Sequence, residues 1–153
     1  MMPKQGDKAP AFSALDADGR KISLSDFKGK KVVLYFYSEA GSPTCTIESC
    51  NLRDHHRDLT DAGYVVIGVS PDTAKAQQKF RTKYNLPFAL IADVGHSIID
   101  KYGVWAKKKL FGHEYMGVLR TTFVISERGV IEKIFHKPKN KMHAEEIIAA
   151  AGH

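Results

Sequence analysis

Val32-Val33-Leu34-Tyr35-Phe36-Tyr37 is an unbroken apolar run closed by Ser38, and it is followed by Ser42-Pro43-Thr44-Cys45-Thr46-Ile47-Glu48-Ser49-Cys50. The run is too short for an ordinary helix and rich in Val and aromatic side chains. It reads as a central strand buried on both faces. From Cys45 the period changes: Leu52, Leu59 and Ala62 recur at helical spacing and Gly63 supplies a C-terminal cap, so a helix is expected over 45–62. Cys45 thus stands where a strand gives way to a helix. A helix start carries unpaired N–H groups and the positive end of the macrodipole, and both favour a thiolate over a thiol.

Working outward, Tyr64-Val65-Val66-Ile67-Gly68-Val69 reads as the second core strand. Ser70-Pro71-Asp72 opens a helix through about Tyr84, with Pro71 or Asp72 in its first turn. A short strand at Leu90-Ile91-Ala92, a short helix near His96 to Tyr102 and a polar loop over 107–118 follow. Thr121 to Ile125 and Val130 to Phe135 flank Glu127-Arg128-Gly129 as a hairpin, and a helix over Ala144 to Ala151 ends the chain. Before the first long strand, Ile22-Ser23-Leu24 reads as a short strand, with Ser25-Asp26 capping one helical turn. A βαβ unit followed by a ββα unit is the thioredoxin-like arrangement. The expectation is an α/β fold with a central mixed sheet, helices on both faces and an antiparallel edge, in one domain spanning 1–153.

The composition is that of an ordinary soluble protein, with 43% hydrophobic and 26% charged residues. No apolar run is long enough to span a membrane, and Met1 to Gly6 lacks the apolar stretch of a signal peptide. A cytoplasmic location is expected. There a cysteine pair is more often catalytic, redox-active or metal-binding than a structural disulfide. The net charge of +6 owes much to Lys107-Lys108-Lys109 and to Lys137, Lys139 and Lys141. Such clusters attract nucleic acid, but no aromatic or zinc-finger motif accompanies them, and they read as solvated loops.

Cys45 and Cys50 are the only cysteines. Ser42, three residues before Cys45, offers a hydroxyl to the sulfur or to a bound oxygen ligand. Arg53 on the same helix offers positive charge, and so does Arg120 if the strand it starts lies beside this one. Five residues on an ideal helix turn the two cysteine side chains roughly 140° apart and place their Cα atoms about 8.7 Å apart. That exceeds the roughly 7 Å limit for a disulfide, so the pair bonds only if the first turns unwind. Zinc is a weak rival: the C-x-x-C spacing is absent, and His55 and His56 complete no tetrahedral set with both sulfurs. The same missing spacing disfavours a thiol-disulfide exchanger. Cys50 taken alone also reads as a small buried hydrophobe.

At these residues the chain resembles the peroxiredoxins of the bacterioferritin-comigratory-protein (PrxQ) subfamily over nearly its whole length. Gly6-Asp7-Lys8-Ala9-Pro10-Ala11-Phe12, Leu24 to Gly29, Val32 to Tyr37, Ser42 to Asp54 and Arg120 to Ile125 carry the likeness. The resemblance implies Cys45 as peroxidatic and Cys50 as resolving cysteine, Ser42 as the active-site hydroxyl and Arg120 as the arginine that holds thiolate and peroxide. Glu48, Arg53 and Pro43 match supporting positions. It further implies a peroxide substrate, a thioredoxin-like reductant, no cofactor or metal, and no nucleic-acid or membrane partner. A resolving cysteine so near in the same chain removes any need for a dimer, so a monomer is expected. Two residues depart from the pattern: Ser38 stands where the motif begins with proline, and Thr44 where the subfamily usually has glycine. The alternative reading, a thioredoxin-fold redox sensor or binding protein with weak peroxidase activity, rests on Ser38.

Overall fold

A computed structural model describes residues 2–136 and 138–151. A five-stranded sheet in the order β5-β4-β3-β8-β9 forms its centre. β3 (Lys31–Phe36), β4 (Tyr64–Ser70) and β5 (Ala89–Ala92) run parallel, joined by α1 (Pro43–Asp54), α2 (His56–Asp61) and α3 (Ala74–Tyr84). β8 (Thr121–Ile125) lies antiparallel to β3, and β9 (Ile131–Phe135) antiparallel to β8. α4 (Ser97–Lys101) follows β5, and α5 (His143–Ala151) ends the chain. The mixed thioredoxin-like sheet with its antiparallel edge is as expected.

β3 is central, so both its faces are covered and alternate residues enter different cores. Val32, Leu34 and Phe36 pack with Ile67, Phe123, Tyr102 and the N-terminal Phe12 and Ile22. Val33, Tyr35 and Tyr37 pack with Cys45 and Leu52 of α1, Leu59 of α2, Phe80 of α3 and Ile147 of α5. The two layers are unequal: four helices cover the second face, whereas α4 and the small hairpin of β1 (Ser13–Leu15) and β2 (Lys21–Ser23) cover the first.

Several boundaries differ from the sequence expectation for identifiable reasons. The helix after β3 starts at Pro43, because proline suits the first helical position, and its axis breaks at His55, whose ring lies 3.5 Å from Asp58 and 3.3 Å from Glu145. Gly63, at φ 91°, ends α2 as expected. Pro71 and Asp72 lie outside α3, which is capped instead by Thr73, its hydroxyl accepting from the Ala76 amide at 3.2 Å. The one-turn helix Leu24–Phe27 is capped by Ser23 and Asp26, two residues earlier than Ser25. The polar loop expected over 107–118 is an antiparallel hairpin, β6 (Trp105–Leu110) and β7 (His113–Val118). Phe111 (φ 50°) and Gly112 (φ 80°) form its tip with the left-handed backbone that tight hairpins need. Its sides are held by Lys107 against Glu114 (3.3 Å) and Lys108 over the Tyr115 ring, pairs invisible in a linear reading of lysines.

One close approach seats α1 on the sheet. Gly68 lies between Tyr35 and Leu90 in register, and a Cβ there would sit 2.8 Å from Leu90 Cδ2 and 2.9 Å from Tyr35 Cζ. The missing side chain lets the Tyr35 ring lie flat enough for its hydroxyl to meet Ser49 of α1 at 3.0 Å. Gly68→Ala is expected to lower stability by about 1–3 kcal/mol through overpacking, read as a lower urea midpoint; an unchanged midpoint would show that the ring moves aside freely.

Candidate active site

The segment between β3 and α1 is fixed from beneath. The Tyr37 amide still donates to Val69 O at 3.0 Å, and its phenol donates to Gln77 of α3. Gln77 Nε2 donates to Ser70 Oγ (2.8 Å), Ser70 Oγ donates to Asp72 Oδ2 (2.6 Å), and the Ala40 amide donates to the same Asp72 oxygen (2.8 Å). Burial pushes the Tyr35 and Tyr37 phenols far above the ordinary range, so both remain protonated donors. This chain sets the height at which α1 begins.

Cys45 is the third residue of α1 and 1% exposed. Ser42 is the N-cap, yet its hydroxyl donates to Glu39 O at 3.1 Å instead of capping the helix or touching sulfur. The first intrahelical bond runs from Thr46 N to Ser42 O (2.9 Å), and the Thr44 and Cys45 amides donate to no described protein group. Two N–H donors at the sulfur's end of the helix are thus left for an anion or a peroxide oxygen. The side chain that does reach the sulfur is Ser38, whose Oγ lies 3.7 Å from Cys45 Sγ. The contact expected of Ser42 is made by Ser38.

Arg120 precedes β8, one step beyond the Phe36–Thr121 pairing, which brings it beside the end of β3. Its guanidinium donates to Asn140 and lies 4.0 Å from Glu48 Oε1, one turn of α1 beyond Cys45. Glu48 is wholly buried, and neither carboxyl oxygen has a hydrogen-bond partner among the described residues. Burial pushes its carboxyl up to about 8, Arg120 opposes this and Glu146 adds to it. Glu48 is therefore mostly protonated at neutral pH, which leaves the Arg120 charge uncompensated by it. Behind Glu48 lies His143 of α5, also buried, with Nε2 3.7 Å from Glu48 Oε2 and 2.8 Å from Thr122 Oγ1, and Nδ1 2.6 Å from Glu146 Oε1. Burial lowers the His143 pKa, against the pull of Glu146, so the ring is neutral, donates to Glu146 and accepts from Thr122. Sequence reasoning missed His143, Glu146, Thr122 and Asn140. Nothing local marks them; the pairing of β8 with β3 and the docking of α5 on α1 bring Thr122, His143 and Glu146 behind Glu48, and Asn140, just before α5, meets Arg120.

Cys50 is half-buried, and α1 runs unbroken from one cysteine to the other, which are not bonded. Burial raises the Cys50 pKa, partly offset by Arg53. Arg53 itself points away from Cys45: it pairs with Asp54 (2.9 Å) and donates to Tyr84 O at the end of α3 (2.8 Å). Asn51 ties the far half of α1 to α5, donating to Lys141 O and Glu145 (both 2.9 Å) and accepting from the Ala144 amide (2.7 Å). Beside Ser38, a cleft of about 240 Å³ is walled by Trp105, Tyr115 and Met116 of the hairpin, with Lys108 at its edge. His55 is engaged by Asp58 and Glu145, and no described group of three His, Cys, Asp or Glu side chains is placed to hold a metal ion. Of the basic clusters, Lys107 and Lys108 are partnered within the hairpin, while Lys137 lies outside the described residues. No described helix is long and apolar enough to cross a membrane.

The strand order, with the helix that follows the central strand starting just before a buried cysteine, is a thioredoxin-like arrangement. The AhpC/TSA family model matches residues 5–134. A putative peroxiredoxin Bcp of Coxiella burnetii is 46% identical over 143 residues, covering 94% of this chain and 95% of that one. The crystal structure of peroxidoxin BcpB from Mycobacterium tuberculosis superposes with a TM-score of 0.85 at 30% identity, over 98% of this chain and 96% of that one. The bacterioferritin comigratory protein of Xanthomonas campestris, studied in trapped intermediate and ligand complexes for its alkyl peroxide reduction, superposes with a TM-score of 0.85 at 26% identity, over 92% and 90% of the two chains. The chain belongs to the AhpC/TSA family, as a peroxiredoxin of the Bcp/PrxQ type. It is an enzyme that reduces peroxides at the expense of a thiol reductant, and the comparisons do not favour a sensor with weak activity.

The buried carboxyl gives a signed expectation. The folded pKa of Glu48 lies above its unfolded value of 4.5, so its contribution to stability is complete below pH 4.5 and is lost as pH rises through about 8. Over that window wild type should lose stability relative to Glu48→Gln, with a slope approaching about 1.4 kcal/mol per pH unit. His143 titrates with the opposite sign and lies 3.7 Å from Glu48, so the same comparison in a His143→Gln background separates the two groups. Parallel urea midpoints at pH 5 and pH 8 would show that the carboxyl is not neutral in the fold.

Proposed function

We propose that Cys45 is the peroxidatic and Cys50 the resolving cysteine of this peroxidase. The observation that carries the reading is the buried Cys45 sulfur in the first turn of α1, with the Thr44 and Cys45 amides beside it donating to no described group. The Cys45 thiolate attacks the terminal oxygen of the peroxide, the O–O bond breaks, and the leaving alkoxide or hydroxide takes a proton to become alcohol or water. The sulfur is then a sulfenic acid. The unpaired amides stabilise the charge that moves from sulfur to oxygen, Arg120 adds positive potential, and Ser42 and Pro43 shape the turn. The Cys50 thiolate attacks the sulfenic sulfur, hydroxide leaves as water, and an intramolecular disulfide forms. A thioredoxin-like dithiol restores both thiols by exchange and is itself oxidised to a disulfide.

The second step requires the start of α1 to unwind, and the polar atoms around the cysteines support that movement. The buried side-chain atoms without partners among the described residues are Thr46 Oγ1 and both Glu48 oxygens, all between the two cysteines. Each buried unpaired group costs about 1–3 kcal/mol, recovered when the helix opens to water. Asn51 anchors the rest of α1 to α5, so the opening stops at Cys50. The cleft beside Ser38, with its Trp105, Tyr115 and Met116 walls, supports alkyl hydroperoxides as substrates alongside hydrogen peroxide. With the resolving thiol in the same chain, the protein works as a one-domain monomer, and its reliance on a dithiol donor fits the cytoplasm.

Cys45→Ser is expected to abolish turnover with a thioredoxin system. Cys50→Ser should still consume one equivalent of peroxide but stall as the sulfenic acid. Mass spectrometry of wild type after one equivalent should find a Cys45–Cys50 disulfide. Full turnover in Cys45→Ser, or a persistent monomeric sulfenic acid in wild type, would refute the respective assignment.

A further inference from the structure

We infer that Ser38 is a catalytic residue, the side-chain hydrogen-bond donor to the reacting sulfur. Its Oγ lies 3.7 Å from Cys45 Sγ, within hydrogen-bond range for sulfur. While Cys45 is a thiol, either group can donate. Once the proton is lost, sulfur is an acceptor only, and the Ser38 hydroxyl becomes the donor. The bond is then charge-assisted and stronger than the neutral one, so it favours the thiolate over the thiol. A proline at this position has no donor of any kind. The substitution therefore exchanges a rigid ring for a hydroxyl aimed at the nucleophile.

Three features of the neighbourhood support the assignment. Ser42, the other candidate hydroxyl, is committed to Glu39 O, so Ser38 does not duplicate an existing donor. Ser38 is held in place from both sides: Tyr37 before it is fixed by Val69 O and Gln77, and Ala40 after it by Asp72. Ser38 also lines the cleft walled by the β6–β7 hairpin, so one side chain touches both the nucleophile and the space beside it. Other ionisable groups near the sulfur are the Tyr35 phenol on β3, the Tyr37 phenol just after it, Glu48 one turn along α1 with Arg120 beyond it, and Glu39 and Lys108 on the cleft that Ser38 lines. Burial keeps both phenols protonated, and Glu48 is mostly protonated at neutral pH. Neither the phenols nor Ser42 offers the sulfur what Ser38 does.

The inference rests on Cys45 being the nucleophile, and the test separates the two claims. Iodoacetamide alkylation of Cys45, located by mass spectrometry in the full-length reduced protein, reads the thiolate without any peroxide chemistry. Ser38→Ala should slow Cys45 alkylation at neutral pH by about three- to tenfold and move its pH profile upward. Ser38→Pro should slow alkylation likewise, and Ser38→Thr should retain the wild-type profile by keeping a hydroxyl. Circular dichroism of the three variants shows whether any has lost its fold, in which case the remaining two decide. A slowed alanine variant with a normal threonine variant supports the donor role even if wild type proves unable to turn over peroxide, which would refute the peroxidatic assignment alone. Alkylation profiles of Ser38→Ala and Ser38→Pro that coincide with wild type would overturn the inference.

Discussion

Cys45 belongs to two environments whose demands conflict, and the surrounding structure reconciles them. Its sulfur is a member of the apolar core beneath α1, packed with Tyr35, Tyr37, Leu52 and Phe80. Burial of that kind disfavours any charged form. The same sulfur lies at the start of a helix, where amides and dipole favour negative charge. The position is tenable for a nucleophile only because those amides are left unpaired. They are left so because the first turn of a helix offers its amides no backbone acceptor, and because the Ser42 hydroxyl at the N-cap turns to Glu39 O instead of accepting from them.

Much of the rest of the fold holds that arrangement still. The parallel pairing of β3 with β4 carries on to the Tyr37 amide, and the Gln77–Ser70–Asp72 chain extends it to Ala40. Gly68 clears room for Tyr35, whose hydroxyl meets Ser49, one helical turn beyond Cys45 on the same face of α1. These contacts surround the site without filling it. Against them stands the stretch between the cysteines, where Thr46 and Glu48 carry buried oxygens with no partner among the described residues. A helix well anchored at Asn51 and poorly satisfied at Thr46 and Glu48 opens more readily at one end than at the other.

The residue at position 38 plays one part in the linear motif and another in the folded chain. In the linear motif Ser38 registers as the loss of a proline, hence of shape. In three dimensions it is the gain of a donor on sulfur. The lysine run at 107–109 shows the same contrast: as sequence it suggests a solvated loop, while in space Lys107 and Lys108 brace a hairpin that walls the cleft beside Ser38.

Whatever depends on near neighbours along the chain is legible in its residues alone. The β3 run, the helix after it, the Gly63 stop and the placement of Cys45 at a strand-to-helix junction all follow from local period, side-chain shape and backbone preference. The helix spacing alone put Cys50 out of reach of Cys45. Tertiary structure decided what depends on distant segments. The pairing of β8 with β3 delivers Arg120 and Thr122, and the docking of α5 delivers His143 and Glu146. Even within the motif, which of the two serines meets the sulfur was a tertiary matter. Spacing along the chain makes both available, and only the path of the loop, held by Asp72 and Tyr37, turns Ser38 inward and leaves Ser42 on a carbonyl.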